Sequence, residues 1–400
     1  MKKILFAFLF FTSFVVFPQK NKDSIIYYLN NAKGSNKFIN LKKAVLLAEK
    51  LQKDSLIKVT NIAFAKQSYI AKDTLRLRFS KNKLLQHYQL KKDSFSLGKA
   101  YHFAALNHKI KNNLDSTFYY YQKSKNVFVG LKDSTEVGRR LLSMAILQVN
   151  ELDYLGCETT SIEGLKFIEP TDEYRTLISL YQTLGNALGH LNRPKEAREY
   201  YEKALKIIKF NTTQRRREVN YLNLMTNIGM TYQDEGDLKK AISFFKEGLR
   251  FDSLEIKYPK QYQNLLGNLS NLRFRQGKTK QAIVGYKIVL ESRLKTKNYY
   301  AQSVSYSLLA EAYLKTKQYT LAKKNAQKGL QLARKTRNNV QVLECLKLLS
   351  KLTKGEVSKR YLEDYIKLND SLFTRERTFK NQFAKVRFET EKKEKENTFL

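Results

Sequence analysis

The sequence predicts an all-α protein made of repeated helix pairs, and three observations carry that prediction. Helix breakers are scarce, with 4 Pro, 16 Gly and no Trp in 400 residues, which suits helices joined by short connections. Leu, Ala, Tyr and Phe recur at helical spacing through most of the chain. The same pattern returns about every 40 residues, and a period of about 20 to 50 marks a stacked repeat.

Residues 1–19 read as an export signal. Lys2 and Lys3 precede an unbroken apolar run from Ile4 to Phe17, and charge begins at Lys20. That run is shorter than the roughly 20 apolar residues that cross a bilayer. The expected location is therefore outside the cytoplasm, in a periplasmic compartment, with membrane anchoring if the segment is not removed. No small-x-small site precedes Lys20, so cleavage stays open. No Cys lies near the end of the run, which excludes lipid attachment there.

The repeat array is expected over 23–371, as about eight to nine helix pairs. Leu184-Gly185, Leu188, Ala197, Tyr201 and Ala204 return as Ile228-Gly229, Tyr232, Ala241, Phe245 and Gly248. Leu269-Ser270, Ala282, Tyr286 and Val289 form a third copy, and Leu309-Ala310, Tyr313, Ala322, Ala326 and Gly329 a fourth. Weaker copies upstream complete a ladder of Ser124, Gly164, Ala204, Gly248, Val289 and Gly329. It extends back to Leu84 and Ala44 and forward to Leu368. Small residues such as Gly185, Ala197 and Ala204 let antiparallel helices approach closely, while Leu184 and Tyr201 fill the groove beside them. No single pair buries enough apolar surface to fold alone, so neighbours must stack.

These residues resemble the tetratricopeptide repeat, whose first helix carries Leu-Gly and then Tyr, and whose second carries Ala, Phe or Tyr, and Ala. The resemblance implies an α-solenoid, a right-handed superhelix of antiparallel helix pairs. Three departures stand out: no first-helix Trp, Arg273 where the third copy should have Tyr, and a period longer than the usual one. Longer helices or longer links would absorb the extra residues. Asp93-Ser94, Asp133-Ser134 and Asp252-Ser253 are expected to cap helices, with Asp133 and Glu136 at capping-box spacing. Gly236-Asp237 and Gly277-Lys278 are expected as turns within pairs, and Pro194 as a first helical position.

Residues 372–400 are expected to form a charged helical tail with Phe379, Phe383 and Val386 on one side. Glu389 with Lys393 and Glu391 with Lys395 have favourable i to i+4 order. Such a helix either packs back as a solenoid cap or pairs with a second chain as a short coiled coil, giving a dimer. The arrangement also resembles the sensory half of bacterial membrane signalling proteins. In those, an export signal, periplasmic tetratricopeptide repeats and a charged linker precede a membrane helix and a histidine kinase or helix-turn-helix output domain. Here the linker-like stretch is 383–397, and the sequence ends at Leu400 without a second apolar run.

Signatures of catalysis are missing. The sequence has no zinc-protease His pair, no nucleophile elbow and no dinucleotide-binding glycine pattern. Gly277-Lys278-Thr279 imitates the end of a phosphate-binding loop, but Leu272 stands where its first Gly belongs. His87, His102, His108 and His190 lack ligand spacing, so no metal and no cofactor is expected. Cys157 and Cys345 sit in apolar helical segments and read as buried core residues. The net charge of +37 arises from 74 basic and 37 acidic residues. They are spread along the chain, with Arg215 to Arg217 the densest basic cluster, so nucleic acid is not the expected partner.

What remains is non-catalytic binding of a protein or peptide. By the tetratricopeptide resemblance the binding face is lined by first-helix residues. These are Gln182 and Asn186, then Thr226, Asn227 and Met230, then Asn268 and Asn271, then Ser307 and Glu311. Amide side chains offer both donor and acceptor to the backbone of an extended peptide. Two readings stay open: a free-standing exported binding protein, or a truncated sensor whose membrane helix and output domain are missing.

Overall fold

The computed structural model describes the backbone of residues 22–210 and 213–398, and all of their side chains except those of 375–382 and 393–398. Residues 1–19, expected as an export signal, lie outside the described residues. Among the described residues all regular structure is helical, so the expected fold class holds. The chain divides into two compact units, one of residues 1–147 with 382–400 and one of residues 148–381.

The first unit contains α1 (22–30), α2 (Lys37–Lys50), α3 (Asp54–Ile70), α4 (Thr74–Lys91), α5 (Ser94–Ile110), α6 (Leu114–Gly130) and most of α7 (Ser134–Asn150). The second contains α8 (Tyr154–Ile168), α9 (Tyr174–His190), α10 (Pro194–Ile207), α11 (Gln214–Asp234), α12 (Leu238–Leu249) and the short α13 (Leu254–Lys257). It continues with α14 (Pro259–Arg275), α15 (Thr279–Lys295), α16 (Tyr299–Lys315), α17 (Tyr319–Thr336) and α18 (Asn339–Leu352). The last helix, α19 (Gly355–Thr398), runs without a break through position 372.

The longer period is absorbed by longer helices. α3, α5, α6, α7, α9, α14, α15 and α16 are each 17 residues long. A joint of three residues follows most of them, so two helices and two joints fill the period. The joints share one backbone feature. The chain enters the left-handed region at Gln52, Lys72, Lys92, Asn112, Lys132, Leu152 and Asn192, then at Gly236, Gly277, Lys297, Lys317 and Arg337. At all of these but Gln52 and Lys92 the next amide bonds back across the helix end, as in Asp133 N–H to the Phe128 carbonyl (3.0 Å) and Asp237 N–H to the Tyr232 carbonyl (2.9 Å). This is the six-to-one bond of a Schellman closure.

The residue after each left-handed position often caps the next helix. Side chains of Asp73, Asn113, Asp133, Asp153, Asp237, Asn298 and Asn338 each accept a backbone N–H three residues on. Asp93 caps through Phe95 N–H. Two expectations need correction. Ser253 is itself left-handed and makes no cap, and Asp252 instead accepts from Lys257 at 3.2 Å. The box at Asp133 is half formed, because Glu136 turns its carboxylate to Lys99, Arg139 and Arg140.

The ladder of small and apolar positions lies inside. Ala44, Leu84, Ser124, Gly164, Ala204, Gly248, Val289 and Gly329 are all buried. Close approach explains the glycines on the first helices of the second unit: a Cβ on Gly185 would lie 2.5 Å from the Tyr201 ring, and one on Gly229 would lie 2.5 Å from Phe245. Both cysteines are buried and free, and burial pushes each thiol up to about 12.

Two features belong to the first unit alone. Glu136, Lys99 and Arg140 form a buried ion cluster, with Lys99 2.5 Å and Arg140 3.2 Å from the carboxylate. Burial pushes the Glu136 carboxyl up, but Arg140 and Lys99 outweigh it and hold the group at about 2. The second feature is Phe383 of α19, which is buried and stacks on Phe118 of α6 with ring centroids 5.0 Å apart. The tail therefore packs on its own chain here. Phe379 and the partners Lys393 and Lys395 have side chains outside the described set, and Lys385 pairs with Glu389 in this stretch.

Candidate functional site

First helices of the second unit lie against one another, α9 against α11, α11 against α14, and α16 against α18. All nine expected site residues belong to these helices. The small residue of each copy sets the register, so Asn186, Met230, Asn271 and Glu311 each follow Gly185, Gly229, Ser270 and Ala310 and occupy one row. Asn227 and Asn268 share the neighbouring row.

The structure joins two of these residues directly. Asn227 Nδ2 donates to Asn186 Oδ1 at 3.2 Å, and the Tyr201 hydroxyl donates to the same oxygen at 2.8 Å. An amide oxygen has two acceptor positions and the nitrogen two donors. Asn186 Oδ1 is thus filled; the exposed Asn186 is left with its Nδ2, and the half-buried Asn227 with its Oδ1 and one N–H. The pair keeps both donor and acceptor capacity side by side. Tyr201, buried on Gly185, is what fixes the orientation.

The remaining residues divide by burial. Met230 is exposed (41%) and gives the face an apolar contact. Asn268 and Asn271 are half-buried, and Glu311 is exposed. Burial, with Glu344 of α18 next in weight, raises the Glu311 carboxyl above its ordinary range. Gln182 is half-buried with its Nε2 shielded and unpartnered. Thr226 and Ser307 are only 7% and 6% exposed. Thr226 bonds to the Leu222 carbonyl of its own helix, and Ser307 donates to Gln341 at 2.5 Å. A short hydroxyl side chain at a helix contact returns to nearby backbone or to a neighbour rather than reaching outward, so these two pack the face and do not present it.

Sequence reasoning passed over other polar groups of these helices. Asn223 accepts from Gln261 Nε2 at 3.3 Å, across α11 and α14. Asn264 stands one period beyond Asn223, and counting forward by 41 from Gln182 would have found both. At the helix ends, Asp234 is raised by burial, with Arg275 and His190 acting in the opposite direction. His190 is lowered by burial and stacks on Tyr154 at 4.4 Å.

A family model described as tetratricopeptide repeat matches residues 177–253, and a second with the same description matches 303–336. Comparison with curated proteins finds no match. Among solved structures, the chain is similar to the apo form of the quorum sensor NprR from B. thuringiensis. The TM-score is 0.61 at 15% identity, over 88% of this chain and 99% of that one. It is also similar to a signal transduction ATPase with numerous domains from Pyrococcus horikoshii, which has a tetratricopeptide repeat sensor. There the TM-score is 0.59 at 15% identity, over 92% of this chain and 55% of that one. A Rap conjugation gene regulator of a plasmid, solved in complex with a peptide, gives 0.52 at 15% identity, over 88% of this chain and 94% of that one. At such identities the likeness is one of fold.

Proposed function

From the premise that this chain is a tetratricopeptide repeat protein, we propose that it binds an extended peptide or protein segment on the first-helix face of its second unit, without catalysis. The observation that carries the reading is the Asn186–Asn227 pair. Its remaining donor and acceptor groups match the alternating N–H and C=O groups of an extended backbone, which gives affinity with little demand on side-chain identity. Met230, Asn268, Asn271 and Glu311 extend the face and supply selectivity. Peptide binding by a neighbour of the same fold, the plasmid regulator, supports the reading.

The finer role is that of an exported sensor module. Lys2, Lys3 and the apolar run Ile4 to Phe17 support export, and two neighbours described as a quorum sensor and a tetratricopeptide repeat sensor support sensing. Fractionation of cells making the full chain with an epitope tag should place it in the envelope, and a purely cytoplasmic signal would exclude export.

Binding is tested with a randomised library of fluorescent heptapeptides titrated against the full chain. The expected result is at least one sequence family whose affinity falls about tenfold or more in Asn186→Ala/Asn227→Ala, since each lost hydrogen bond counts for about 1 kcal/mol. The doubly substituted Asn186→Ala/Asn271→Ala chain should also weaken. Retained affinity in both variants removes this face from the proposal.

A further inference from the structure

In the first unit α2 and α4 both pack on α3, and between them lies an open cavity of about 370 Å³. Its floor is Phe64 of α3, only 3% exposed. Phe38 of α2 and Phe79 of α4 form the walls. Each stands edge-on to Phe64, with ring centroids 5.9 Å apart at 89° and 76°. Ile39 and Leu75, 55% and 68% exposed, lie at the mouth, so the space is reached from solvent. A cavity of about 300–1,000 Å³ with mostly apolar walls and a few polar groups is the usual form of a small-molecule site.

Stacking of the repeats does not ask for this composition. Leu75 stands nine residues before Leu84 of the ladder, and the residues nine before Ala204, Gly248 and Val289 are Lys195, Lys239 and Lys280. Where α10, α12 and α15 carry a cation, α4 carries a leucine. Phe38 stands six before Ala44, and the residue six before Ser124 is Phe118. That ring is covered by Phe383 of α19, 5.0 Å away. The fold thus stacks a second ring at this position of the repeat. Phe38 instead borders the cavity, with the Arg76 guanidinium over its ring, 4.5 Å from the centroid.

Charge at the mouth selects the sign of a ligand. Arg76 is paired with Asp73, but Lys42, which also lines the cavity, makes no ion pair among the described residues. The lining includes both cations and no acid. An anion gains there and a cation does not.

We propose that this cavity binds a small aromatic carboxylate, its ring between Phe38 and Phe79 on Phe64 and its carboxylate at Lys42. A ring is favoured over other apolar bodies because aromatic pairs at such angles gain beyond the area they bury. The site shares no residue with the first-helix face of the second unit, so it stands or falls without that reading.

The test is titration of the full chain with phenylacetate, phenethyl alcohol and acetate, followed by saturation-transfer nuclear magnetic resonance. Phenylacetate should saturate one site. Phenethyl alcohol, a ring without charge, should bind about threefold more weakly, the effect of one exposed ion pair, and acetate should not saturate. Lys42→Met should bring phenylacetate to the level of the alcohol and leave the alcohol unchanged. Leu75→Asp gives the mouth the residue that α6 carries at the same position, Asp115. It should weaken both ring probes about tenfold or more through loss of an apolar wall. Leu75 is exposed, so the variant keeps its fold, which circular dichroism checks. Lys50→Met, at another exposed position of α2, should bind as the parent does, which separates the site from general attraction to a chain of charge +37. Failure of phenylacetate to saturate, acetate binding as tightly as phenylacetate, or ring binding that survives Leu75→Asp overturns the proposal.

Discussion

Leu152 and its neighbours show what one joint asks of single residues. The left-handed region costs an L-residue about 1 kcal/mol and glycine little, yet lysine, asparagine, leucine and arginine hold most of these positions. Leu152→Gly should therefore stabilise the chain by about 0.5–1 kcal/mol, and Asp153→Ala, which removes the following cap, should cost about 1 kcal/mol. Urea titrations followed by circular dichroism would check both. Glu136→Gln should cost about 3–5 kcal/mol, since it strands Arg140 in the interior. Because the Glu136 carboxyl is depressed to about 2 when folded, it stays ionised there while the unfolded group, near 4.5, takes up a proton. Its stabilisation is present above pH 4.5 and fades as the pH falls toward 2. The Gln variant should lose that part of the acid sensitivity. Sequence alone showed the caps at Asp93 and Asp133, because Asp is a capping residue, but not Lys132 as left-handed, because lysine carries no such signal. Gly236 and Gly277 were the visible instances of a rule that holds at the other joints.

Helices are where sequence and structure agree most closely. The copies anchored at Gly185 and Gly229 were legible because packing forces a small residue beneath Tyr201 and Phe245. The short α13 was not legible, since Leu254–Lys257 carries no period. The amides of the proposed face could be read as a set, but the orientation of Asn186 could not, because it is imposed by Tyr201 from 15 positions away. Tyr201→Phe should accordingly weaken peptide binding several-fold by freeing the Asn186 amide, with about 1 kcal/mol lost in stability. For α19, Phe383→Ala should undock residues 383–390 from α6. Hydrogen exchange would show it as faster exchange in that stretch, with α17 and α18 unchanged.

The whole chain carries charge in great excess, and like charges oppose compaction. Raising the salt from about 20 mM to about 200 mM shortens the screening length from roughly 20 Å to under 10 Å, so thermal stability should rise over that range. A fall would mean that the surface ion pairs outweigh the repulsion. Calorimetry should also depart from a single two-state transition, as expected for stacked repeats in more than one compact unit. The far-ultraviolet spectrum should be that of helix throughout.

The uniform joint has a consequence for how such a chain can change its length. Every 17-residue helix ends in the same closure, so duplicating one helix with its joint would violate no local rule. It would, however, hand every later first helix the part of a second: Asn271 and Glu311 would be turned toward the packing side, and Tyr286 toward the side they left. Growth by one is permitted by the hinge and forbidden by the faces, so only even numbers of helices can be gained or lost without destroying the proposed binding surface.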